Sequence, residues 1–156
     1  MSSIGTMPSV RTPRSRHPFG TEIGVQQLLA LFSDKKQWED RYRQLIQLAR
    51  QLPPLPDELK QQQIELKGCE NRVWLGHELN QNGTLHFYGD SEGRIVKGIL
   101  AILLAQIEGK TAQQILDLDL MQLFDQLGIY QQLSASRSQG LDSLVKEIRE
   151  TAELYC

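Results

Sequence analysis

The residue type that could do chemistry is a single cysteine. Cys69 follows Gly68 and precedes Glu70, Asn71, Arg72, Val73 and Trp74, at the mouth of the one clear strand pattern in the chain. As a thiolate, a cysteine there is a nucleophile, provided that a cation or a helix N-terminus favours its charged form. As a thiol it is a small buried hydrophobe. A loop between a glycine and a strand tolerates exposure and motion better than the interior of an element does. Lys67 and Arg72 are the local cations and Arg137 is a distant one. Charged loop residues are also ordinarily just solvated, so spacing alone leaves both readings open.

Other chemistries find less support. His77 or His86 could act as base in a Cys–His hydrolase, but both alternate along strands and no third residue is placed to orient them. Asp90 with Glu92 makes a carboxylate pair, or more simply a cap and dipole complement at a helix start. The cysteines are two, Cys69 and Cys156, too few for a disulfide framework or an all-cysteine zinc or iron–sulfur site. His17, His77 and His86 show no metal-ligand spacing. No glycine-rich phosphate loop is present, and aromatics at 6% are too sparse for a base-stacking platform.

The elements that must position Cys69 come from a chain of 156 residues, a length that suits one domain. With 40% hydrophobic and 23% charged residues a packed core forms without staples. A net charge of −2 and a pI near 5.9 argue against nucleic acid as partner. No apolar run reaches bilayer-spanning length and none resembles a secretory signal, so a soluble, cytoplasmic protein is expected. Residues 1–20 hold Pro8, Pro13, Pro18, three arginines and no acid, and read as a disordered basic tail. An organelle-targeting peptide or a contact with an acidic partner are the other readings of that segment. Removing it should leave folding intact. Residues 21–156 then form the domain.

Thr21 is placed to cap a helix with Val25, Leu28, Leu29 and Phe32 on one face, and Asp34 with Gln37 resembles a capping box. Trp38, Tyr42, Leu45, Ile46 and Ala49 then form a core stripe that must stop near Leu52, ahead of Pro53-Pro54. From Val73 the period changes to two, and Asn82-Gly83 supplies a tight turn, which predicts a hairpin of 73–80 with 84–89. A further short edge strand would complete the sheet. Asp90-Ser91 ends the hairpin and caps a helix apolar on all sides from Ile95 to Ile107, the expected central helix. Gly98 inside it suggests a close backbone neighbour. Thr111 and Asp119 open two short helices, 133–140 reads as a hydroxyl-rich loop, and a final helix carries Leu141, Leu144, Val145 and Ile148. The fold class is α+β, a small antiparallel sheet on a helical layer.

Three segments resemble the SufE-like sulfur acceptors. Gly68-Cys69-Glu70-Asn71-Arg72-Val73-Trp74 is similar to their Gly-Cys-x-x-x-Val-Trp motif. The run from Asp90-Ser91 to Ile95-Val96-Lys97-Gly98 resembles their Asp-Ser-x-x-x-Ile-Val-Lys-Gly, and Leu133 to Leu141 their Ser-Arg-Ser segment. Trp38, Tyr42 and Leu52-Pro53 fit the family's early helix. The resemblance spans Thr21 to the last helix and implies the fold shared with IscU-like proteins. It implies that Cys69 takes sulfur from the persulfide of a SufS-like, pyridoxal-phosphate-dependent cysteine desulfurase, activates that enzyme, and relays the sulfur to a SufBCD-like iron–sulfur scaffold. Pyridoxal phosphate belongs to the partner, so no cofactor is expected here, and a homodimer is compatible. Arg137 would support the thiolate or touch the partner, with a helix-start salt bridge as the alternative. Asp90 would hold the cysteine loop or cap a helix. A scaffold or binding module that holds metal or nascent cluster is the other function class, disfavoured by the cysteine count.

Overall fold

The computed structural model describes residues 14–156. Residues 1–13 of the expected tail lie outside the described residues.

Helix α1 (Val25–Phe32) and helix α2 (Trp38–Gln51) are followed by a single turn, α3 (Asp57–Lys60). Strands β1 (Val73–Leu79) and β2 (Thr84–Ser91) form the hairpin, and helix α4 (Arg94–Ile107) follows. Then come β3 (Lys110–Thr111), α5 (Ala112–Leu116), α6 (Gln122–Gln126), a 3-10 turn at Tyr130–Gln132, and α7 (Ala135–Glu153). The sheet has the order β1-β2-β3 and is antiparallel throughout, so the α+β class and the edge strand are both found. Among the described residues no helix is long and apolar enough to cross a membrane.

Helix α4 is the centre. Every one of its residues except Arg94 and Lys97 is buried, as its all-round apolar sequence requires. A Cβ at Gly98 would collide with the Leu45 carbonyl oxygen, so this glycine is what lets α2 lie against α4. On its other sides α4 packs against β2, α7 and α1. Val73, Leu75, Leu85 and Phe87 point from the sheet into this core.

The opposite face of the sheet is covered too. Trp74 and Tyr88 pack there with Leu55, Leu59 and Ile64. Period-two alternation identifies a strand's two faces but does not say whether the second is solvated, and here a chain segment lies over it.

Three expectations need correction. Arg14 to Gly20, placed in the tail by composition, is packed on the domain: Phe19 is completely buried. One aromatic anchor outweighs the average polarity of its neighbours. Gly20 turns the segment back with φ +86°, and a Cβ there would lie 2.5 Å from Glu108 Cβ. Secondly, α1 is capped at Gly24, whose N–H donates to Gln27 Oε1 at 2.9 Å. Thr21 Oγ1 instead donates to the Pro18 carbonyl, and Asp34 pairs with Lys35 ahead of α2, which starts from Gln37 without a side-chain cap. Finally, most of 133–140 is helix: Ser134 caps α7, its Oγ accepting from Arg137 N–H at 3.4 Å. Serines and Gly140 weaken helix propensity, but the cap and the packing of buried Gly140 and Leu141 override it.

Candidate active site

Cys69 sits in a loop closed at its base like a hairpin. Leu66 N–H donates to Val73 O at 2.8 Å and Leu75 N–H to Ile64 O at 3.0 Å, with Glu65 bridged to Trp74. Gly68 has φ +81° with nothing within 4 Å of where a Cβ would be, so glycine is needed there for backbone conformation alone. That turn presents Cys69 next. Its side chain is half-buried against the core, its sulfur is free, and among the described residues nothing hydrogen-bonds to it.

Arg72 does not serve the thiol. Its guanidinium makes a bidentate pair with Glu65, at 3.0 and 2.8 Å, and lies 4.9 Å over the Trp74 ring. Lys60 is stacked 4.4 Å over the same ring. Arg72 therefore clamps the base of the loop. Lys67 is exposed.

Arg137 is the cation that the fold brings to Cys69. Both line a cavity of about 10 Å³, together with Asn71, Val73, Val96 and Gly140. Such a volume holds about one water. Arg137 comes from the first turn of α7, and Ser136 of the same turn also lines this cavity. Its guanidinium donates to Tyr42 Oη at 3.0 Å and lies 5.3 Å from that ring. Among the described residues no carboxylate pairs with it, which removes the helix-start salt bridge as its explanation. A second cavity, of about 200 Å³, adjoins the first through Asn71, Val96 and Arg137 and reaches Tyr42, Gly93 and Arg94.

Asp90 is not a helix cap. It belongs to β2, opposite Trp74, because strand pairing runs on to Val73 and Ser91. The cap of α4 is Gly93. The buried Asp90 carboxylate accepts from Leu55 N–H at 3.0 Å and Ser91 N–H at 2.8 Å, and meets Lys97 at 3.0 Å and Lys60 at 3.7 Å. It ties the chain after α2 to the end of β2 next to the loop. The direct hold on the cysteine loop is made by Ser91, whose Oγ donates to Arg72 O at 2.9 Å and accepts from Gly93 N–H at 3.2 Å. Sequence reasoning does not single out Ser91, Asn71 or Tyr42 for the site. Ser91 and Asn71 lie inside the motif runs quoted above, and Tyr42 is among the residues that fit the family's early helix, where periodicity gives it a core signal.

The histidines are elsewhere. His77 meets Tyr155 Oη at 2.8 Å, and its burial shifts its protonation to lower pH. His86 is tied to Glu108 at the far end of β2. Neither lines the Cys69 cavity, so a Cys–His dyad is not assembled.

Comparison with known proteins shows the family. The SufE family model, described as an Fe-S metabolism associated domain, matches residues 26–152. Sulfur acceptor protein CsdE of Escherichia coli (strain K12) is 58% identical over 132 residues, covering 85% of this chain and 90% of that protein. An uncharacterized SufE-like protein of Rhizobium etli is 39% identical over 133 residues, covering 83% and 90%. The solution structure of a hypothetical protein from Thermus thermophilus superposes with a TM-score of 0.63 at 19% identity, over 84% of this chain and 94% of that one, a likeness of fold. The chain belongs to the SufE family.

Proposed function

We propose that the protein is a sulfur acceptor and activator of a cysteine desulfurase, with Cys69 as the accepting nucleophile. The observation that carries this reading is a free cysteine on a glycine-turned, clamped loop, sharing a cavity with an arginine that has no acidic partner among the described residues. The sulfur acceptor relative at 58% identity supports it.

The step needs no oxidant. The Cys69 thiolate attacks the terminal sulfur of the desulfurase's cysteine persulfide, a sulfur–sulfur bond forms, and the original one breaks. The desulfurase cysteine leaves as thiolate and Cys69 becomes the persulfide. Arg137 and the N-terminal end of α7 supply positive potential to the sulfur while it carries charge. The cavity has room for about one water, and a sulfur atom is larger than a water, so the added sulfur favours an outward shift of the loop. That is the motion by which Cys69 would enter a partner's site. Clamping at the base by Glu65–Arg72 confines such motion to the tip.

Pyridoxal phosphate stays with the desulfurase, and the persulfide passes onward to an iron–sulfur assembly scaffold in the cytoplasm. A cluster-holding role for this chain would need more thiolates than the one at this site.

Intact-mass analysis after incubation with a competent cysteine desulfurase and free cysteine tests the reading. The wild type should gain one sulfur and stimulate the desulfurase, and Cys69→Ser should do neither. No adduct on the wild type would refute it. In the same assay Arg137→Lys should be loaded roughly tenfold more slowly, the scale of one hydrogen bond to a charged group. Loading at the wild-type rate would remove Arg137 from the site.

A further inference from the structure

At the end of the sheet remote from Cys69, the segment 14–20 crosses β2. Its contacts centre on His86, which is 3% exposed. We propose that His86 is the charged pin of a latch that holds this segment on the sheet, and that loss of its proton releases the segment.

The charge follows from geometry. His86 Nδ1 faces Glu108 Oε2 at 2.7 Å, and Nε2 faces the Arg14 carbonyl oxygen at 2.5 Å. A carboxylate and a carbonyl only accept, so both ring nitrogens must donate, and only the imidazolium has two N–H groups. A neutral ring would keep its proton toward the carboxylate, the stronger acceptor. Its Nε2 lone pair would then face the Arg14 carbonyl at contact distance. The repulsion falls on the segment itself.

The remaining groups around the ring are arranged to suit a cation. The imidazole of His17 stacks on it, with centroids 5.5 Å apart and planes 20° apart. Glu78 lies opposite His86 on β1 and is joined by the backbone N–H and guanidinium of Arg14, at 3.0 and 3.7 Å. Tyr88 stands 5.8 Å away on the same strand. Lys110 of β3 pairs with the neighbouring Leu85. Arg16 and Glu22 line a cavity of about 480 Å³ that His17, His86 and Glu108 also border, which gives protons a route to the ring.

His17, His86 and Glu108 place ligand atoms within 4.8 Å of one another, a spacing that would suit a divalent metal. The hydrogen bonds argue otherwise. His17 Nδ1 accepts Phe19 N–H at 3.2 Å, so its Nε2 holds the proton and shares it between Phe87 O at 2.7 Å and Glu108 Oε1 at 3.4 Å. Neither histidine presents a bare nitrogen to the centre. The cluster is built as an ion pair.

Burial of His86 works against its charge, but the bonds to Glu108 and the Arg14 carbonyl and the charges of Glu108 and Glu78 outweigh it and raise its pKa above 6.5. Glu108 is likewise opposed by burial, yet the bonds from His17, His86 and Phe87 N–H lower its pKa from 4.5 to about 2. The carboxylate's contribution is complete above 4.5 and is lost only as pH falls through about 2. The imidazolium's is complete below 6.5 and is lost as pH rises through the raised value. The latch is therefore firm below 6.5 and opens as pH rises through the raised value.

The full chain, labelled with ¹⁵N and ¹³C, tests this by NMR between pH 5 and 10. Long-range ¹H–¹⁵N correlations should show His86 with both nitrogens protonated at the acid end of that range and a midpoint above 6.5. The signals of the Phe19 ring and of the Ile23 methyls, Ile23 being bridged to Phe19, should move with that same midpoint. Glu108→Gln should lower the midpoint by roughly one unit or more. A His86 midpoint at or below 6.5 would overturn the proposal, as would Phe19 and Ile23 signals that stay fixed while His86 titrates. Both criteria are read on the native chain, so they hold even if the variant does not fold.

Discussion

Replacing Asp90 by alanine is expected to destabilise the fold by about 3–5 kcal/mol, the scale for removing one partner of a buried charge network. Asp90 is 4% exposed and its carboxylate serves four groups: the N–H groups of Leu55 and Ser91 and the ammonium groups of Lys97 and Lys60. Alanine would strand the Leu55 N–H in an apolar cluster and leave Lys97, on the buried helix α4, without its counter-ion. Asp90→Asn keeps acceptor capacity for the N–H groups but not the charge, and should fall in between. Thermal unfolding followed by circular dichroism measures it. For a chain of this size the alanine variant should melt on the order of 10 °C lower. A midpoint within about 2 °C of wild type would mean that the network is solvated and that Asp90 holds nothing. Because Asp90 adjoins Ser91, which holds the Arg72 carbonyl, the same variant should also make Cys69 react faster with a thiol-alkylating reagent.

Phe19→Ala carries the second large effect. Phe19 is fully buried in the main core although it lies in a segment whose composition reads as a tail. Truncating a buried phenylalanine costs about 3–5 kcal/mol. Leu31→Ala, at a helical position 36% exposed, should change stability by well under 1 kcal/mol and serves as the control. Chemical denaturation of the two variants separates them. Equal midpoints would show that residues 14–20 are not part of the cooperative unit. Deleting residues 1–20 removes Phe19, so it is expected to destabilise rather than leave folding intact. In register, His77–Phe87 pairing lies toward the opposite end of the ladder from Val73–Ser91, where the cysteine loop begins. Sulfur loading by folded Phe19→Ala should therefore match wild type.

The sequence by itself determined whatever depends on local pattern. Period two with Asn82-Gly83 specified the hairpin, and the all-round apolar run from Ile95 to Ile107 specified a buried helix. Gly98 announced a close helix contact, and Gly68-Cys69 marked the one candidate position for chemistry because a glycine turn and a thiol are both local properties. Three motif runs were enough to identify the family. Tertiary structure decided what depends on which distant groups meet. It chose Arg137 over Arg72 and Lys67 as the companion of Cys69, since Arg72 is taken by Glu65 and Trp74 and no spacing rule shows that. It moved Asp90 from a cap to a buried counter-ion, because two more residues of strand pairing were available. It joined His17 to His86, far apart along the chain, and drew Phe19 out of an otherwise polar segment into the core. Propensity and periodicity measure what a residue prefers among its neighbours in sequence. Charge pairing and burial are settled by neighbours in space, and for these residues the second set of preferences was the stronger.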